Sequence, residues 1–131
     1  MNAEASSHRH KARRLTGECD HLSPDEAPVA LISTSYYAIY HACVAALLSA
    51  HGTAPGKHGK VHRAIAELAA KLEGEARAQE VESAIEDAYE MRVRADYEPD
   101  GRPEETRRNA ERIPALRDTV IAFCDRVIAG A

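Results

Sequence analysis

The residues best suited to chemistry gather in one run, Tyr89-Glu90-Met91-Arg92-Val93-Arg94-Ala95-Asp96-Tyr97. At about 100° per helical residue, Arg92 falls within roughly 20° of Ile85 and lies along an apolar stripe, whereas Arg94 points to the solvated side. A cation on a buried stripe is costly unless paired. Asp96 lies one turn after Arg92, on its face. Acid after base is the weaker order for a helical pair, so guanidinium donors remain for a phosphate or a partner subunit. Tyr97 adds a phenol. With an unperturbed pKa of ~10 it is a poor base at neutral pH, but it suits hydrogen bonding to phosphate or stacking on a base. Arg92, Asp96 and Tyr97 are therefore candidate catalytic residues, and the same pattern also reads as a structural ion pair closing a helix.

His41 is a further catalytic candidate, placed mid-helix after Tyr36, Tyr37 and Tyr40. A lone His there also serves packing, as do the tyrosines. His58 and His62 are spaced i, i+4, which suits a metal, but no Glu follows in the zinc-protease arrangement. His8, His10, Cys19 and His21 are ligand types scattered over a weakly patterned segment, so no metal and no cofactor is expected. Two basic clusters remain, Arg9 to Arg14 and Arg102 to Arg117. Both read mainly as surface charge with local ion pairs. Arg102, just past Tyr97, is the best placed to extend a phosphate-binding rim around Arg92.

Helical spacing recurs five times along the chain, and no strand-like alternation competes with it. The first stripe, Ala12, Leu15, Cys19 and Leu22, is interrupted by Gly17, and residues 1–7 are expected to fray. The second opens on a capping box, Ser23-Pro24-Asp25-Glu26, and continues through Val29, Ile32, Tyr36, Tyr40, Cys43 and Leu47, widened by Tyr37, Val44 and Leu48. So broad an apolar surface belongs at the centre of a bundle. The third spans about Lys57 to Leu72, buried through Val61, Ile65, Leu68 and Leu72, and Gly74 closes it. The fourth covers roughly 75–96, and a turn at Pro99-Asp100-Gly101 follows. The fifth begins near Pro103 and carries Pro114 inside its stripe, where a kink is expected. Five helices with short loops make an all-α antiparallel bundle of four to five helices, one domain over residues 1–131.

Composition narrows the function. The formal net charge of −4 argues against broad coating of nucleic acid, though not against one local basic cleft. Cys19, Cys43 and Cys124 are too few and too scattered for a disulfide framework, and two of them fall on apolar helical stripes. A reducing, cytoplasmic setting follows. The N-terminus lacks the apolar region of a secretory signal, and the apolar stretches look too interrupted to span a bilayer, so no membrane role is expected.

Three blocks carry a family resemblance. Tyr36-Tyr37-Ala38-Ile39-Tyr40-His41-Ala42 resembles the YYAxFHA signature of the second helix in HEPN-domain proteins. Lys57-His58-Gly59 resembles the KTHSG opening of the next helix, and Met91 to Tyr97 resembles the LRxxADY block. They occur in the family's order. The resemblance implies a HEPN-like bundle that forms a homodimer, often beside a minimal nucleotidyltransferase partner. Many relatives are RNA-cleaving toxins or defence effectors in which about four to six residues separate the Arg from a following His, the Arg stabilising phosphate charge and the His moving protons. This chain departs from that motif. From Arg92 the allowed positions hold Tyr97, Glu98 and Pro99, from Arg94 they hold Pro99, Asp100 and Gly101, and no His follows Arg92. Nor does the spacing of Tyr97 from Arg92 match the family's modified tyrosine. The expectation is a toxin–antitoxin or defence-like module binding nucleotide or RNA, through Arg92, Tyr97 and Arg102, or binding a nucleotidyltransferase. A ribonuclease with a non-standard site and a purely structural helical protein are the alternatives.

Overall fold

The computed structural model describes residues 2–97 and 103–130. They form five helices: α1 (Ala3–Cys19), α2 (Pro28–His51), α3 (His58–Glu73), α4 (Glu75–Tyr97) and α5 (Pro103–Gly130). No strand occurs among the described residues. The turn expected at Pro99-Asp100-Gly101, and Arg102 with it, lie outside them.

α2 packs on each of the other four helices, most extensively on α1 and α5. Its sequence explains this. Ile32, Tyr36, Ile39, Cys43 and Leu47 are fully buried, and the small residues Ala38, Ala45 and Ala46 between them are buried as well, so neighbours approach it from several sides. α3 and α4 form a second pair, with Val61, Ile65, Val81 and Ile85 facing inward. Each fully buried Ile or Leu contributes on the order of 1.5–3 kcal/mol relative to exposure.

The ends of the helices correct several expectations. Residues 3–7, expected to fray, lie within α1: the Asn2 side chain accepts a 2.7 Å hydrogen bond from Ala5 N–H, and Ala5 is fully buried. Ser23 does accept from the N–H groups of Asp25 and Glu26, at 3.1 and 3.3 Å, but these cap a turn and not a helix. α2 starts at Pro28, because a residue before proline is pushed out of the helical region, and Ala27 has φ −138° and ψ 56°. Val29 and Leu72, assigned to buried stripes, are 38% and 55% exposed. Arg117, grouped with surface charge, is buried and pairs with Asp118 at 3.0 Å.

Gly74 joins α3 to α4 alone. Its N–H donates to Ala70 O at the end of one helix, and its own carbonyl accepts from Ala78 N–H at the start of the next. It does so at φ 90° and ψ 170°, a conformation essentially reserved for glycine. α5 runs continuously through Pro114, which withdraws one helical donor from Ala110.

α2 is, contrary to expectation, long and apolar enough to cross a membrane by length and composition. In the bundle 72% of its apolar window is buried against protein, which accounts for the apolarity. The three cysteines are free and buried, one each in α1, α2 and α5. Cys19 Sγ lies 3.4 Å from Ser35 Oγ. A hydrogen bond with Cys43 and deep burial push the Cys124 thiol up.

Candidate functional site

Where α2, α3 and α4 meet, their aromatic and basic side chains converge. α2 contributes Tyr36, fully buried, with Tyr37 and Tyr40 half-buried beside it. The first turn of α3 contributes His58, and His62 follows one turn later on the same face. α4 contributes Tyr89 and, three residues on, Arg92.

Tyr36 is the centre of the cluster. Its hydroxyl lies 2.6 Å from His58 Nδ1 and 2.8 Å from His62 Nε2. A phenol has one proton, so it donates to one imidazole and accepts an N–H from the other. The Tyr40 ring stacks on His58 at 4.1 Å between centroids, and the Tyr89 ring meets His62 edge-on at 5.3 Å. The Arg92 guanidinium lies over Tyr36 and Tyr37, 5.6 and 5.2 Å from their centroids.

Arg92 and Asp96 come together as their spacing required, with Nε 3.2 Å from Oδ2. The contact is an ion pair without hydrogen-bond alignment, since the buried Nε has no hydrogen-bond partner. Asp96 Oδ1 is itself engaged, accepting from Ser33 Oγ at 3.3 Å. Arg94 points away, pairing with Glu90 and Glu105.

The electrostatics favour neutral imidazoles. Burial, then the charge of His58, lowers His62 to about 4. Burial, then Arg92, lowers His58. Burial raises the Tyr36 phenol far above its ordinary value despite the nearby Arg92 charge. At neutral pH the trio is thus uncharged and linked by hydrogen bonds, with a cation beside it.

The other sequence candidates lie apart from this centre. His41 is one ring removed, edge-on to Tyr40 at 5.5 Å, and its Nδ1 meets His8 Nδ1 at 2.9 Å. Burial and the charges of Lys11, His8 and Arg14 lower it to about 4. Tyr97 is 77% exposed and makes no hydrogen bond or ring contact with a described residue. An apolar cavity of about 140 Å³ lies elsewhere, lined by Arg9, Ala12, Ala42, Ile121 and Cys124 among others, and takes in none of the cluster. No cluster of metal-ligating residues is found among the described residues.

Sequence reasoning missed the link between Tyr36 and the two α3 histidines. The i, i+4 spacing of His58 and His62 was visible, but not that α3 lays them against α2 at Tyr36.

The fold and the site define a small helical module built around one buried helix, with its polar cluster at the junction of α2, α3 and α4. The HEPN domain family model matches residues 5–127, and the chain belongs to the HEPN-domain family. No curated protein matches the chain, and no solved structure does. The three sequence blocks similar to this family supply Tyr36, Tyr37, Tyr40, His58, Arg92 and Asp96, which the fold brings into one place.

Proposed function

We propose that the junction of α2, α3 and α4 binds a nucleotide or single-stranded RNA, with Arg92 on a phosphate and Tyr89 offering a ring to a base. One observation carries this reading: the Arg92 side chain is only 19% exposed, yet it donates no hydrogen bond to any described residue. A guanidinium has five donors in a planar fork suited to phosphate. Asp96 offsets part of its charge, and the two tyrosine rings hold it in place. Tyr89, 37% exposed at the edge of the cluster, supports stacking. Within this reading the chain is a cytoplasmic homodimer of a toxin–antitoxin or defence-like system, working with a minimal nucleotidyltransferase. Family membership and the three reduced thiols support that setting.

The test is titration of the purified chain with ATP and with a labelled single-stranded oligoribonucleotide. Arg92→Ala is expected to weaken binding roughly 10- to 100-fold, the range for losing a hydrogen bond to a charged group, while its melting curve stays cooperative. Tyr89→Ala is expected to weaken oligonucleotide binding about 5-fold or more. Wild-type protein that binds neither ligand, or an Arg92→Ala variant that binds equally well, would overturn the proposal.

A further inference from the structure

The geometry points to a proton relay: Tyr36 couples His58 and His62 into the acid–base pair of a ribonuclease site whose phosphate sits on Arg92. This rests on the binding role of Arg92 proposed above. It assigns the proton chemistry to α3, where the family's usual arrangement would look for a His after the Arg.

Three observations carry the inference. First, both imidazoles spend one nitrogen on the same oxygen, His58 Nδ1 at 2.6 Å and His62 Nε2 at 2.8 Å. Their other nitrogens, His58 Nε2 and His62 Nδ1, hydrogen-bond to no described residue, and both side chains are partly exposed. Second, the shared phenol is fully buried, so the link between the two rings is shielded from solvent. Third, the Arg92 guanidinium lies over the ring of that same phenol, ion-paired with Asp96 but hydrogen-bonded to no described residue.

The hydrogen-bond logic leaves two neutral arrangements. In one, His58 Nδ1–H donates to the Tyr36 oxygen, Tyr36 O–H donates to His62 Nε2, and His62 carries its proton on Nδ1. His58 Nε2 is then a free base and His62 Nδ1–H a free acid. His58 Nε2 takes the proton of an RNA 2′-hydroxyl, and the 2′-oxygen forms a bond to the adjacent phosphorus. The bond from phosphorus to the 5′-oxygen breaks, and His62 Nδ1–H protonates that oxygen. His58 Nδ1–H passes to Tyr36, and the Tyr36 proton passes to His62 Nε2. The products are a 2′,3′-cyclic phosphate and a 5′-hydroxyl. The trio ends in the second neutral arrangement, so no proton is gained or lost overall, and solvent exchange restores the first. Arg92 stabilises the charge that builds on the non-bridging phosphate oxygens. The lowered basicity of both rings keeps them neutral at pH 7, as the relay requires.

The experiment is cleavage of a 5′-labelled single-stranded oligoribonucleotide, run beside a binding titration of the same strand and of its all-2′-deoxy counterpart. Wild-type protein is expected to leave 2′,3′-cyclic phosphate ends and to spare the deoxy strand. His58→Asn and His62→Asn should each slow cleavage about 100-fold or more. Tyr36→Phe removes one oxygen from a buried ring and should slow it about 10-fold or more. Its pH–rate profile should narrow to a bell, because the uncoupled rings then need opposite protonation states, whereas the wild-type profile stays flat from about pH 6 to 9. The ionisable neighbours facing the trio are Arg92 and Tyr89 from α4 and Tyr37, Tyr40, His41 and Cys43 from α2. Unaltered by the Tyr36 substitution, they leave the change of shape to the relay. Should either Asn variant fail to fold, Tyr36→Phe decides. Cleavage of the deoxy strand, or a Tyr36→Phe profile matching the wild type in rate and shape, would overturn the relay. Binding that depends on Arg92 without any cleavage would overturn the relay and leave the binding site standing. Absence of binding would overturn both.

Discussion

The ion pair of Arg92 with Asp96 was legible in the sequence because it is local: two residues one turn apart on a helix meet wherever that helix packs. The trio of Tyr36, His58 and His62 was not. Its members lie 22 and 26 residues apart, and only the packing of α3 on α2 brings them within 2.8 Å. Local periodicity places a side chain on a face but does not name the residue facing it. His62 of the trio and the neighbouring His41 give a prediction for stability against pH. His41 and His62 are lowered to about 4 in the folded chain, against about 6.5 when unfolded. Between those values the unfolded state binds more protons. Stability is therefore full above about pH 6.5 and falls as pH drops toward 4, by roughly 1–2 kcal/mol per ring once screening at half-buried sites is allowed for. Urea unfolding at pH 7.5, 5.5 and 4.5 measures this, and His41→Gln should flatten part of the slope. A midpoint that stays constant across those pH values would contradict it.

At the scale of the helices, α3, α4 and α5 begin and end close to where their stripes and terminal signals place them. α2 begins four residues after Pro24, because Pro28 and not Pro24 occupies its first position. Two prolines within five residues left the choice to the conformation of Ala27, which the pattern of apolar residues does not report. Gly74 was legible as a terminator but not as the whole connection between α3 and α4. Because its backbone conformation excludes a side chain, Gly74→Ala should destabilise the protein by about 1–3 kcal/mol, although an added Cβ would meet no neighbouring atom within 4 Å. Thermal melting gives the value. A loss below about 0.5 kcal/mol would mean that the junction relaxes to another conformation. Since α3 carries His58 and His62 and α4 carries Arg92, a shift at this junction should also lower nucleotide affinity.

For the molecule as a whole, the broad apolar circumference of α2 foretold its central place, and the bundle is organised accordingly. That arrangement has a consequence for the three thiols. Each is sheltered by helix packing, so a bulky alkylating reagent reaches it only during an opening of the native state, and the cysteines act as internal clocks of breathing motions. For a protein of ordinary stability, about 5–15 kcal/mol, labelling through global opening is slowed by several orders of magnitude. The clocks should not keep the same time. α1 packs chiefly on α2, whereas Cys43 and Cys124 lie in the extensive contact between α2 and α5. Mass spectrometry after a timed pulse of reagent should find Cys19 modified first, by detachment of α1 alone, with Cys43 and Cys124 following together. Equal rates at all three would mean that α1 leaves only when the entire core dissolves, and that the bundle opens as a single cooperative unit.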